Sequence, residues 1–130
     1  MENLPPLKPT EAELEILQLL WQHGPTTVRF INDELNKSKE VGYTTTLKIM
    51  QLMTEKNMVH RDETNRSHVY EAVLKEEATQ KHLLDRFLDS TFRGSATKLV
   101  MQALGSHKTT PAELEEIRKF LSNLEGDKNP

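Results

Sequence analysis

Cysteine is absent from the 130-residue chain, which excludes disulfides, thiolate metal sites and cysteine nucleophiles together. Glycine is scarce, at five residues, and none of them forms a phosphate-cradling loop or a G-x-S-x-G elbow. Catalysis has no motif to rest on, so no enzyme is expected. No apolar run approaches the roughly 18 residues that cross a bilayer. The N-terminal stretch MENLPPLKPT has neither the basic start nor the apolar middle of a signal peptide, and the expected location is cytoplasmic. Positive charge is also in deficit: the formal net charge is −3, which argues against a nucleic-acid partner unless the cations are concentrated on one face.

The chain does contain 35% hydrophobic and 28% charged residues, the balance of a globular protein. Its length allows one modest core, or one compact domain of about 70 to 80 residues plus a helical extension. Thr10 with Glu13 forms a capping box, and Leu14, Leu17, Leu20 and Trp21 then recur at helical spacing until Gly24-Pro25, predicting a first helix over 11–23. Thr26 and Thr27 can cap a second helix, with Val28, Ile31 and Leu35 on its apolar side and an end near Lys37. After a polar turn at 39–42, a third helix is predicted over 44–56. Thr46, Ile49, Met50 and Met53 form its core side, and Asn57 suits the left-handed position that ends it. Residues 58–62 and 67–73 read as two strands around the turn Glu63-Thr64-Asn65-Arg66.

Beyond Leu74 the pattern is helical. Leu83, Leu84, Phe87, Leu88 and Phe92 share one face, and Ala96, Leu99, Val100, Ala103 and Leu104 another. Thr110, Pro111 and Glu113 open a last helix carrying Leu114, Ile117, Leu121 and Leu124, with a tail expected to fray after Glu125. Three short helices cannot bury these stripes against one another, so a second copy is the expected partner. Leu84, Phe87, Leu88, Leu99, Val100, Leu114, Ile117, Leu121 and Leu124 are the candidate interface. The expected architecture is mainly α with a small β-hairpin wing: a winged helix-turn-helix over 1–74 and a helical dimerisation region over 75–130.

In a helix-turn-helix, the second helix enters the major groove and must show polar or cationic side chains outward. With the apolar positions of the third helix turned in, about 100° per residue turns Thr44, Thr45, Lys48 and Gln51 out. Threonine, lysine and glutamine can each pair with base edges, and the alternative is an ordinary solvated face. Arg61, Arg66 and Asn65 would let the hairpin reach phosphates or a minor groove. Between residues 37 and 70, six cations (Lys37, Lys39, Lys48, Lys56, Arg61, Arg66) meet four anions (Glu40, Glu55, Asp62, Glu63), an excess opposite in sign to the whole chain.

The run Gly42-Tyr43-Thr44-Thr45-Thr46, followed by Met50, Met53, Lys56, Val59, Asn65-Arg66 and Tyr70, resembles the penicillinase repressor and methicillin-resistance repressor family of bacterial winged-helix regulators. The opening LKPTEAELEIL with Trp21 and Gly24-Pro25, and a late Glu-Leu-Glu-Glu-Ile-Arg helix, extend the similarity over nearly the whole chain. The resemblance implies a homodimer that occupies a dyad-symmetric double-stranded DNA operator and blocks transcription. It implies base contacts from Thr44, Thr45 and Lys48, phosphate contacts from Tyr43, Thr26 and Thr27, and a wing position for Arg66. Members often carry Arg where this chain has Leu52, a small polar residue where it has Lys48, and Gly where it has Asn57, so an operator sequence does not transfer with the resemblance.

The best-known members are released by cleavage of an Asn-Phe bond in the dimerisation region, triggered by a membrane-bound sensor protease. The matching stretch here, 99–104, reads LVMQAL, and copper-responsive members use a cysteine-rich tail that this chain lacks. A membrane protease of different cleavage preference is the expected inducer. His60 with His68, and His82 with Asp85 or Asp89, have no tight ligand spacing, so no metal or other cofactor is expected. Glu115-Glu116 reads as solvated helix charge. The rival function is a winged-helix module that binds protein instead of DNA, since a fold does not fix a function.

Overall fold

A computed structural model describes residues 8–128. The absence of a signal peptide was read partly from residues 1–7, which lie outside the described residues. Among the described residues, no helix is long and apolar enough to cross a membrane.

Helix α1 (Glu11–His23) starts where expected, because Thr10 Oγ1 accepts from Glu13 N while Glu13 Oε1 accepts from Thr10 N. It ends at Gly24, whose φ of +83° suits a residue without a Cβ and whose N–H reaches back to Leu20 O. Strand β1 (Thr26–Thr27) was not anticipated, since two threonines carry no readable alternation. Thr27 also accepts from Phe30 N and so caps α2 (Val28–Leu35), which stops two residues short of the expected end.

Helix α3 (Tyr43–Glu55) begins and ends one residue earlier than expected. Its exit is a Schellman motif: Asn57 takes φ +63°, Met58 N donates to Met53 O at 2.9 Å, and Asn57 N donates to Thr54 O at 3.1 Å. The chain turns directly into β2 (Val59–Asp62) and returns through β3 (Val69–Ala72), both shorter than expected. The sheet is antiparallel in the order β1-β3-β2, with Thr27 opposite Val69 and Arg61 opposite Tyr70. The wing is therefore a hairpin with a third, two-residue strand at its edge.

The core beneath these elements comprises Ile16, Leu17, Leu20, Val28, Ile31, Leu35, Met50, Met53, Met58, Val59 and Tyr70. Leu14 and Ile49, expected on core faces, are only partly buried. The Trp21 indole donates to Leu74 O at 2.9 Å, tying α1 to the chain leaving β3.

The chain forms two compact units divided after Asp85, and α4 (Glu76–Phe92) runs across the division. In the second unit, Arg93 and Gly94 both adopt positive φ, ending α4. Ser95 caps α5 (Ala96–Ser106), and a Thr110–Glu113 capping box opens α6 (Pro111–Lys128). The helix α6 continues to Lys128, past the fraying expected after Glu125. Thr79 is the one buried side chain of α4, and none described in α5 or α6 is buried.

Candidate nucleic-acid interface

The two helices of the helix-turn-helix are held by two asparagines. Asn32 Nδ2 donates to Thr46 Oγ1 at 2.8 Å and to Val41 O at 3.1 Å. Asn36 donates to Asn32 O and Val41 O and accepts from Val41 N, so the turn's backbone is bonded from both sides. Buried polar groups satisfied this way fix the angle of α3 in a manner that apolar packing alone does not.

With Thr46, Met50 and Met53 fully buried, α3 turns Thr44, Thr45, Lys48 and Gln51 to solvent, as its period requires. The same stripe includes two residues outside the expected set. Leu52, 41% exposed, sits one turn after Lys48, and Glu55 closes the helix. Tyr43 lies at the rim of the stripe, 43% exposed, with the Arg29 guanidinium 5.2 Å from its ring centroid. Sequence reasoning passed over Arg29, because nothing in its local pattern marks a neighbour in the next helix.

Tyr43, Leu47 and Val28 form one wall of a cleft of about 200 Å³ whose other wall is Arg66, Ser67 and His68 of the wing, with Tyr70 between. Tyr43 and Arg66 are thus brought together, although 22 residues separate them in the chain. Thr26 and Thr27 are half-buried in β1, and Asn65 is exposed at the wing's tip.

Ion pairing revises the charge argument. Of the six cations between residues 37 and 70, four are already matched: Lys37 with Glu34 at 2.8 Å, Lys39 with Glu15, Lys56 with Glu13 at 2.7 Å, and Arg61 with Glu63 at 2.7 Å. Arg61 stands opposite Tyr70 in the sheet, and Tyr70 and Glu63 together raise its already high pKa. Arg61 is half-buried, so of the two wing arginines Arg66 is the more exposed. Among the described residues, Lys48 and Arg66 have no carboxylate within ion-pair distance, and both are exposed.

The wing turn is built by Asp62, which accepts from both the hydroxyl and the N–H of Thr64; these bonds hold its carboxyl below the usual range. No group of three His, Cys, Asp or Glu side chains among the described residues is placed to hold a metal ion. Lys81 pairs with Asp85, and His82 Nε2 is buried without a hydrogen-bond partner among the described residues.

Residues 9–123 match the family model described as penicillinase repressor. The chain belongs to the penicillinase repressor family. It is 22% identical to the penicillinase repressor of Staphylococcus aureus over 113 residues, covering 87% of this chain and 90% of that one. It is 24% identical to the transcriptional regulator BlaI of Mycobacterium tuberculosis over 117 residues, covering 88% and 83%. To the methicillin resistance regulatory protein MecI of Staphylococcus aureus strain N315 it is 20% identical over 113 residues, covering 87% and 92%. Among solved structures, it is similar to the DNA-binding domain of the repressor BlaI, with a TM-score of 0.49 at 22% identity, over 58% of this chain and 90% of that one.

As a penicillinase repressor family member, the chain carries the winged helix-turn-helix in its first unit and a helical second unit with little core of its own. Of the candidate interface residues, Leu84, Phe87, Val100, Leu121 and Leu124 are exposed, while Leu88, Leu99, Leu114 and Ile117 are half-buried. Met101 and Phe120, outside that set, are the most exposed large apolar side chains among the described residues, at 66% and 61%.

Proposed function

We propose that the chain is a homodimeric transcriptional repressor that occupies a palindromic double-stranded DNA operator. The observation that carries this reading is the α3 and wing surface, where Lys48 and Arg66 have no carboxylate partner among the described residues while four nearby cations are ion-paired. Thr44, Thr45, Lys48 and Gln51 read base edges in the major groove. Leu52 supplies an apolar surface suited to a thymine methyl. Tyr43, Thr26, Thr27, Asn65 and Arg66 meet the sugar-phosphate backbone on either side.

Residues 75–130 dimerise the two heads. Exposed Phe87, Val100, Met101, Phe120, Leu121 and Leu124 form more apolar surface than a unit of this size keeps in water, and a two-fold partner with the same stripes covers it. Joining two half-site contacts makes the second intramolecular, so modest heads bind tightly together. Separating the heads therefore releases the operator. Regulated proteolysis by a membrane-bound sensor protease is the route implied by the family resemblance, and a cytoplasmic location follows from a DNA target. Residues 99–104 lie inside α5, so a cut there requires that helix to open first.

The test is fluorescence anisotropy with the DNA immediately upstream of the chain's own coding region and with a mixed-sequence duplex of equal length, each at two salt concentrations. Preference for the upstream duplex, with affinity falling steeply as salt rises, is expected. Absence of sequence preference at low salt would sink the repressor reading and favour a protein-binding module.

A further inference from the structure

We infer that Arg29 and Tyr43 act as one unit that clamps a backbone phosphate of double-stranded DNA, with the ring holding the guanidinium in place. The inference rests on the DNA-binding reading above and adds to it a residue outside α3 and the wing.

Arg29 is the second residue of α2, where the positive end of the helix dipole disfavours a cation. It is exposed, and no carboxylate among the described residues is within ion-pair distance. Asp33, one turn along the same helix, is exposed and available, yet the guanidinium lies over the Tyr43 ring instead. A stacked guanidinium keeps its N–H edge free for a second partner while losing rotamer freedom in advance. The first helix of a helix-turn-helix crosses the DNA backbone, and Tyr43 opens the helix that enters the groove. A planar cation fixed between those two helices, misplaced for folding and with no anion partner among the described residues, fits a phosphodiester oxygen.

Salt-titrated anisotropy of the full chain on the upstream duplex tests this. Arg29→Ala should weaken binding about tenfold per head and make the log-log salt slope shallower by about 0.9 per head, or roughly two for a dimer. Its thermal midpoint should change little, because losing the ring contact and removing a cation from a helix N-terminus act in opposite directions, whereas a purely structural role would lower it clearly. Tyr43→Phe should keep the wild-type slope. Tyr43→Leu should reproduce the loss, and combining it with Arg29→Ala should add little. Wild-type binding that is specific and salt-dependent, with an unchanged slope in Arg29→Ala, overturns the clamp alone. A wild-type chain that binds neither duplex in a salt-dependent way overturns the DNA reading, and the clamp with it.

Discussion

Replacing Asn32 with alanine tests whether the angle of α3 is set by polar bonds. The change removes the donor to Thr46 Oγ1 and one of two donors to Val41 O. Val41 O keeps its bond from Asn36 at 2.8 Å, so the second loss is partly compensated. Thr46 is 0% exposed and retains no side-chain partner. Each lost bond costs about 1 kcal/mol net, and stranding a buried hydroxyl adds roughly 1–3 kcal/mol. A total near 2–4 kcal/mol is expected, a large share of the about 5–15 kcal/mol typical of a domain. Thr46→Val alone strands one amide hydrogen of Asn32, which still has Val41 O to bond. In the double variant, the two losses should overlap by about 1–2 kcal/mol, since one interaction cannot be removed twice. Urea denaturation at fixed protein concentration measures all three variants, with concentration held constant because a dimer's stability depends on it. A cost for Asn32→Ala under about 0.5 kcal/mol, or strict additivity with Thr46→Val, would refute the argument. Operator affinity should fall alongside stability, because α3 loses its fixed angle.

Four further outcomes follow from particular contacts. Lys48→Ala should cost roughly 1–3 kcal/mol on the operator and relax base preference, whereas Arg66→Ala should weaken all sequences alike; competition binding separates the two. Arg61→Ala should leave the salt slope unchanged and lower the melting temperature slightly, since its charge is already matched by Glu63, which also accepts from its Nε. Leu121→Asp should convert dimer to monomer in sedimentation, and a dimer that withstands it places the interface on α4 and α5. Burial pushes the Glu13 carboxyl up, but hydrogen bonds from Lys56 and Thr10 outweigh that and hold it below its ordinary value of 4.5. A lowered folded-state pKa stabilises the fold above that value, and the gain is lost as pH falls through the folded pKa. The wild type's advantage over Glu13→Gln in urea midpoint should therefore be present near neutrality and shrink in acid below 4.5.

The features legible in the chain were local ones. The Thr10–Glu13 and Thr110–Glu113 capping boxes join residues three apart, and the α3 stripe repeats every three to four. Such signals need only a nearby backbone in one conformation. Asn57 is a similar case, since its left-handed turn is a property of one residue and its neighbours. Strand β1 escaped notice because Thr26 and Thr27 become a strand only through the edge that β3 offers them. The Asn32–Thr46 bond was equally invisible, as both residues had plausible solitary roles on their own helices.

Local pattern alone placed the helices of the first unit to within two residues and marked which face of each is apolar. It also marked Thr44, Thr45, Lys48 and Gln51 as facing outward, because helical period is a geometric constant. Which cations are ion-paired depends on how the elements pack. Glu13 meets Lys56, and Glu15 meets Lys39, across distances in the chain that no local pattern encodes. Arg61 pairs with Glu63 of its own hairpin, Arg66 pairs with no carboxylate among the described residues, and Arg29 finds a ring on the neighbouring helix. Coulomb and cation–π energies depend on separation in space, and for these residues that separation is set by the packing of α1, α2, α3 and the sheet.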